Sequence, residues 1–415
     1  MKNSQLPKNI SITEWSDLMA TNKKLGNAKD AKKDEFYTQY EDIQREMNIY
    51  LEYDPNVFRN KTILLPCDDP SWSNFTKFFA QNFEKLGLKK LISTSYSIDS
   101  KKQKYGSDYQ YTLFDYTSGE AFDENKELIR GKIFTLTRDT NASGSIDIDD
   151  LQWTYLEGDG DFQSDEVKKL RDEADIIVTN PPFSLFKLFV PWIMEADKKF
   201  IIVGNLNSIT YKEIFPHLMH NRMWLGKGFK GMAGHFINTN YEDYATAGDH
   251  KKGMIRVSGV IWYTNIEHGR RHQPIPLMTM ADNIKFSKHK EIRGHQYPKY
   301  ETLDGIEVKF TDAIPRDFKG IMGVPKSFME QYCPEQFEIL GYEREDENVQ
   351  CGIQNMPEEF LETYRSQGGT GHYTKGMKML CFYNDNGEAK VPFSKILIRY
   401  TDEWIESHPD DFKEV

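Results

Sequence analysis

Ala174-Asp175-Ile176-Ile177-Val178-Thr179-Asn180-Pro181-Pro182-Phe183 is the stretch from which the rest of the chain can be read. Ile176 to Thr179 is a short apolar, β-branched run, the pattern of a buried strand. It runs directly into Asn-Pro-Pro-Phe. Consecutive prolines fix the backbone and remove two N–H donors, which leaves the Pro181 carbonyl able to accept from a ligand. Asn180 adds a side-chain carbonyl. Two acceptors converging on one point suit an exocyclic amino group, because they hold both of its hydrogens and help aim the nitrogen lone pair at an electrophile. Phe183 offers a flat face to a planar ring. The same tetrapeptide could simply end a strand in a turn, with the phenyl ring in the core. A strand placed immediately before it favours the binding reading.

An alternation of strands and helices extends on both sides. Thr62 to Cys67 and Leu91 to Ser95 read as strands, and Asn74 to Leu86 places Phe75, Phe78, Phe79, Phe83 and Leu86 at helical spacing with Gly87 as the stop. Further on come a helix from about Ser184 to Ala196, a strand from Phe200 to Val203 and one long strand from Met254 to Asn265. Short apolar strands separated by amphipathic helices predict a mostly parallel α/β sheet covered on both faces, with ligands at the carboxyl ends of its strands. Past Ile266 the rhythm dissolves into loops. It returns as a helix near Lys326 to Tyr332 and strands near Phe337 to Leu340, Met379 to Tyr383 and Lys395 to Arg399.

Residues 1–34 are polar and lysine-rich and read as a mobile arm. Residues 35–265 form the expected core, with 100–150 as a hairpin insertion, and 266–415 form a separate region. Asp139, Asn141, Ser143, Gly144, Ile146 and Asp150 have the spacing of a calcium loop, but Lys132 to Arg138 alternates like a strand, which favours the hairpin. Cys67, Cys333, Cys351 and Cys381 are scattered, so neither a disulfide framework nor a metal site is expected. No run of about 18 apolar residues suggests a membrane span, and the polar N-terminus points to the cytoplasm.

The 415 residues carry 53 Lys and Arg against 64 Asp and Glu, a net charge of -11 that excludes a globally basic nucleic-acid binder. Aromatic residues make up 13% of the chain, which excludes disorder throughout. The charge is unevenly placed. Asp139 to Asp175 has twelve acids and three bases, and Thr401 to Val415 has six acids and one base. Between His217 and Tyr300 the sign reverses to thirteen bases and six acids, with eight of the ten His residues. An acidic stretch and a basic stretch make a two-faced molecule.

Asn180-Pro181-Pro182-Phe183 resembles the catalytic motif of amino methyltransferases that use S-adenosylmethionine, and the wider chain resembles the EcoRI-type adenine-specific DNA methyltransferase family. Asp34-Glu35-Phe36-Tyr37-Thr38, Cys67-Asp68-Asp69-Pro70 with Ser73-Asn74-Phe75, and Gly158-Asp159-Gly160-Asp161-Phe162 are similar to its cofactor motifs. Ile209 to Phe215, Gly253 to Gly259, Gly323-Val324-Pro325 and Pro334 to Glu338 extend the similarity.

The resemblance implies a Rossmann-like class I methyltransferase sheet flanked by helices, followed by a C-terminal target-recognition region. It implies methyl transfer to N6 of an adenine flipped out of duplex DNA, with Asn180, Pro181, Pro182 and Phe183 as the catalytic residues. The cofactor would meet Phe36, Tyr37, Thr38, Cys67, Asp68, Asp69, Asn74, Asp159, Asp161 and Phe162. One carboxylate of the Asp68-Asp69 pair would take its ammonium, and Asp159 or Asp161 its adenine amino group. The glycine-rich turn common among methyltransferases is missing here, and no acidic residue ends the second strand to bind ribose. Arg222, Lys227, Lys251, Lys252, Arg270, Arg271, Lys288 and Arg293 are the candidate DNA contacts. The enzyme is expected to act as a monomer, alone or beside a separate restriction endonuclease. Transfer to RNA or to a protein glutamine, and a non-catalytic DNA-binding derivative of the fold, are the alternatives.

Overall fold

The structure, a computed structural model, describes residues 38–70, 73–97, 129–137, 153–229, 233–237, 254–345 and 349–413. The expected arm, Phe36, Tyr37, most of the 100–150 insertion with its calcium-like spacing, Lys251 and Lys252 lie outside the described residues. The fold is mixed α/β. Two compact units interleave along the chain: one takes in the described residues up to Ile43, then Phe58–Lys198 and Ala233–Ser258, and the other takes in Gln44–Val57, Lys199–Met232 and the chain from Gly259 onward.

The first unit carries β1 (Thr62–Leu65), β2 (Lys90–Thr94), β3 (Lys132–Leu136), β4 (Trp153–Tyr155) and β5 (Ile176–Thr179), in the order β4-β3-β2-β1-β5. β1 is parallel to β2 and to β5, with Leu64 opposite both Ile92 and Ile177. All four residues of β1 and of β5 are buried, as expected for strands covered on both faces. The prediction of a mostly parallel sheet needs correction, because β3 is antiparallel to β2 and β4 to β3. Along β3 the side chains alternate in burial, the pattern of an antiparallel strand with one face near water.

The single helix predicted for Asn74 to Leu86 is two, Asn74–Gln81 and Phe83–Leu86. Asn82 divides them: its side-chain amide donates back to the Phe78 carbonyl at 2.8 Å, competing with the backbone ladder. Ser73 caps the first helix by accepting from the Phe75 N–H. Gly87, at φ 63, ends the second in the left-handed conformation that glycine adopts without strain. Phe75, Phe78 and Phe79 are buried, and full burial of each such side chain stabilises by roughly 2 to 3 kcal/mol.

The second unit carries β6 (Lys199–Asn205) and β7 (Trp224–Leu225). The chain then enters the first unit for the hairpin of β8 (Ala233–Ile237) and β9 (Met254–Ser258), and returns as β10 (Val260–Thr264). β10 lies between β6 and β7, antiparallel to both. The long strand predicted for Met254 to Asn265 is therefore two strands with different partners. Gly259, at φ 70, turns the chain between them, and its carbonyl accepts from the Leu206 N–H at 2.6 Å. A second sheet in this unit is built from β11 (Gly305–Glu307), β12 (Ile321–Pro325), β13 (Phe337–Tyr342) and, beyond the ribbon of β14 (Phe382–Tyr383) and β15 (Ala389–Lys390), β16 (Lys395–Tyr400). Its order is β11-β12-β16-β13. Lys395 and Glu307 form a buried ion pair at 2.6 Å inside it, with the Tyr300 hydroxyl donating to the same carboxylate. The helix predicted near Lys326 to Tyr332 is a 3-10 turn over Lys326–Glu330.

Candidate active site

The described residues of the first unit expected to carry the chemistry gather near the ends of β1, β2 and β5. Asp68, three residues past β1, is buried, and its N–H donates to the Thr94 carbonyl at 3.0 Å. Its carboxylate accepts from Ser73 at 2.8 Å and from Thr179, the last residue of β5, at 2.6 Å. The Ser93 hydroxyl donates to its carbonyl at 2.5 Å. Asp68 is thus a junction between two strand ends and a helix cap. Burial pushes its carboxyl up to about 7, against the opposing effect of the two hydroxyl donors. Asp69 is placed differently. It is partly exposed, and the Lys132 ammonium lies 3.5 Å from its carboxylate.

Three segments far apart in sequence meet at Thr38. Asn74, the first residue of its helix, donates from its side-chain amide to the Thr38 carbonyl at 2.9 Å. Asn180 donates from its own to the Thr38 hydroxyl at 3.2 Å. Residues from three of the segments expected to form the site, Thr38, Asn74 and Asn180, therefore share one point. The Thr38 bond engages the donor end of the Asn180 amide. Pro181 is buried, Pro182 is extended at φ -54 and ψ 128, and its carbonyl accepts from the Leu185 N–H at 2.9 Å. Phe183 is half-buried and opens a 3-10 turn over Phe183–Leu185, which hands on to the helix Phe186–Glu195. The predicted helix start near Ser184 is this tighter turn.

The Gly158 to Phe162 loop is held against the end of β2. Ser97 donates its N–H to the Asp159 carbonyl at 2.7 Å, and Glu166 accepts from the Glu157 and Gly158 N–H groups, both at 3.0 Å. Gly160 has φ 84, and a Cβ there would lie 2.1 Å from the Ser95 carbonyl oxygen. Gly131 is as tightly placed, with the same oxygen 2.3 Å from its would-be Cβ. Asp159 accepts from the Asp161 N–H at 3.0 Å and Asp161 from the Gln163 N–H at 2.9 Å, so each carboxylate orders its own turn. Phe162 is buried edge-on against Phe189 and Trp192, with ring centroids 5.1 and 5.5 Å away. Cys67 is partly buried.

The described basic candidates belong to the second unit and fall into distinct classes. Arg271 is buried, lies 3.8 Å from the Trp224 ring centroid, donates to Asn221 at 3.1 Å and pairs with Glu267 at 3.5 Å. Its guanidinium packs the interior. Lys227 and Arg270 share one turn, with Arg270 donating to the Lys227 carbonyl at 2.5 Å. That turn rests on Glu46, whose buried carboxylate accepts from the Lys227 N–H at 3.0 Å and from Tyr50 at 2.8 Å. Burial raises the Glu46 carboxyl to about 7. Arg222 and Arg293 are exposed, and Lys288 is an exposed partner of Asp312 at 2.7 Å. Among the histidines of the basic stretch, His268 is driven down to about 4 by burial and carries no charge at neutral pH.

Residue-type reasoning passed over Thr179, Gly131 and Glu46. A single hydroxyl carries no sequence pattern. Glu46 has a weak one, since it lies four residues before Tyr50 on the buried side of the helix Tyr40–Tyr53, where a carboxylate needs a partner. Among the described residues, no group of His, Cys, Asp and Glu could hold a metal ion, and no helix is long and apolar enough to cross a membrane.

Comparison with known proteins identifies the family. The family described as adenine-specific methyltransferase EcoRI matches residues 24–400. The chain is 38% identical over 330 residues to the type II methyltransferase M.EcoRI of Escherichia coli, covering 78% of this chain and 90% of that protein. It is 33% identical to the type II methyltransferase M.MgeORF184P of Mycoplasma genitalium, over 76% of this chain and 85% of the relative. To the type II methyltransferase M.MpnI of Mycoplasma pneumoniae it is 32% identical, over 76% and 84%. No solved structure matches. With a match that runs from residue 24 to residue 400 and relatives covered over most of their length, the chain belongs to the adenine-specific methyltransferase EcoRI family and is a DNA methyltransferase.

Proposed function

We propose that the protein transfers a methyl group from S-adenosylmethionine to N6 of an adenine extruded from duplex DNA, within restriction-modification or as a solitary cytoplasmic enzyme, and that its core is a Rossmann-like class I methyltransferase sheet. The observation that carries this reading is the convergence of Asn180 and Asn74 on Thr38 beside the ends of β1 and β5. Parallel β2-β1-β5 pairing supports the fold assignment, as does an antiparallel β10 between β6 and β7.

The donor set fits the cofactor. Its ammonium and adenine amino groups are hydrogen-bond donors, and Asp69, in the loop after β1, and Asp159 and Asp161, in the loop after β4, are acceptors. Asp69 is the better partner for the ammonium, because Asp68 already accepts from Ser73 and Thr179 and holds a proton near neutrality. The cofactor's carboxylate would lie at the N-terminus of the helix Asn74–Gln81. When bound, S-adenosylmethionine supplies an electrophilic methyl group on a sulfonium. The protein's part is to hold the amino nitrogen in line with it. Thr38 fixes the Asn180 amide by its donor end, and Oδ1 and the Pro181 carbonyl accept the two amino hydrogens, stabilising the positive charge that develops on nitrogen. Phe183 stacks on the base. Residues 266–415 serve target recognition, with Arg222, Lys227, Arg270, Lys288 and Arg293 as contacts to the duplex.

Labelled methyl transfer onto duplex DNA, ribosomal RNA and protein tests the substrate. Labelled N6-methyladenine in duplex DNA is expected, and label found only in RNA or protein overturns the reading. Asn180→Ala should lower transfer at least about a hundredfold while DNA binding persists. Wild-type activity in that variant removes Asn180 from the chemistry.

A further inference from the structure

Phe393 is 86% exposed, more than any other large apolar side chain among the described residues. Its position is not that of a loose end. The four residues Val391 to Ser394 join β15 to β16, and both ends of this loop are anchored. Val391 packs against the apolar cluster of Met356, Phe360 and Leu361. Lys395 is held by the buried Glu307 at 2.6 Å and by the Val308 carbonyl at 2.8 Å. Pro392 fixes the backbone on one side of the phenyl ring. On the other, Ser394 has φ 50, a left-handed conformation that a serine adopts at a cost and that clusters at functional positions. Rigid backbone therefore presents an aromatic ring to solvent.

The neighbouring charge identifies what the ring meets. The Lys326 ammonium lies 5.8 Å from the Phe393 ring centroid and donates to the Asn207 side chain at 2.5 Å. Asn207 lies two residues past the carboxyl end of β6, whose last residue, Asn205, accepts from the Asn207 N–H at 2.8 Å. A stiff aromatic tip beside an anchored cation, next to a strand's carboxyl end, matches a nucleic acid, which offers stacking faces to the ring and phosphates to the lysine. Base extrusion gives such a group a use. Taking an adenine out of the duplex costs stacking energy, and an apolar wedge between base steps repays part of it.

We propose that Phe393 is a wedge that stacks within the duplex and holds it open while the target adenine is extruded, with Lys326 on the adjoining phosphate. This rests on the reading of the chain as a DNA adenine methyltransferase. The test uses the full-length protein and a duplex carrying the site mapped from methylated DNA, with 2-aminopurine or adenine at the target position. Phe393→Ala should lower methylation of the paired duplex by about tenfold or more and abolish the rise in 2-aminopurine fluorescence on binding. A duplex whose target adenine is mispaired should restore the variant to within about threefold of wild type, because an unpaired base needs less help to leave the stack. Phe393→Trp should keep both signals. Equal losses on paired and mispaired duplex, or no loss on either, overturn the proposal. So does a change confined to self-association, which would make the tip a contact between copies. A wild-type protein that methylates no DNA at all refutes the underlying reading instead, so the two failures are told apart.

Discussion

Asp68→Asn should flatten the pH dependence of stability. The wild-type carboxyl lies at about 7 in the folded protein, displaced by burial from 3.8. Because the folded value is the higher one, the native state binds more protons than the unfolded chain between these two values. Unfolding free energy contributed by this group therefore falls as pH rises across that window, and levels off above about 7. Each pH unit is worth ~1.4 kcal/mol, so between about pH 5.5 and pH 8, where the folded group itself begins to ionise, the loss is about 2 kcal/mol. Asparagine keeps the shape and an acceptor for one hydroxyl but does not titrate. Urea denaturation of both proteins at the two pH values measures the difference of differences. Other groups, Glu46 among them, titrate in both proteins and cancel. Parallel pH profiles for wild type and variant would refute the assignment of a buried, proton-holding Asp68, as would a uniform destabilisation at every pH.

Four further outcomes follow from the geometry. Asp69→Asn should weaken S-adenosylmethionine binding about tenfold or more, the loss of a charged hydrogen bond, while Asp68→Asn leaves it within about threefold; calorimetric titration of both variants distinguishes the two carboxylates. Gly160→Ala places a methyl group 2.1 Å from the Ser95 oxygen at φ 84, and should cost ~3 kcal/mol or more in urea unfolding. Glu46→Ala leaves the Tyr50 hydroxyl and the Lys227 N–H without their acceptor, a loss of about 2 to 4 kcal/mol that thermal unfolding would register. Arg271→Ala should lower stability by about 2 to 4 kcal/mol. Arg293→Ala should leave stability unchanged and reduce the slope of log affinity against log salt by about 0.9, a contrast read from unfolding and DNA-binding titrations together.

The elements that could be read in advance are those whose signals are local. Ile176 to Thr179 is β5 to the residue, because an apolar β-branched run stopped by Asn-Pro-Pro leaves no other register. Gly87 ends its helix, as its place after the apolar pattern predicts. Where the reading failed, a non-local partner or a single backbone angle was responsible. The run from Met254 to Asn265 alternates like one strand, yet Gly259 at φ 70 sends its halves to different partners, β8 for one and β6 for the other. Asn82 looks neutral inside a helical pattern until its amide turns back onto Phe78. The antiparallel β3 and β4 extend β2 at an edge that strand spacing alone does not define.

The residue types proposed for the chemistry, and the strand that delivers them, are written in linear order: the shape of an Asn, two prolines and a phenyl ring after a buried run follows from covalent geometry and near neighbours. Roles within the set are not. Asp68 and Asp69 are adjacent and chemically identical, and they differ because one is enclosed by Ser73 and by Thr179, 111 residues away, while the other lies beside Lys132. Arg270 and Arg271 are equally basic in sequence, and one sits in a partly exposed turn while the other is sealed against Trp224. Burial and long-range hydrogen bonds set the free energy of a charge, and both come into being when distant segments pack together.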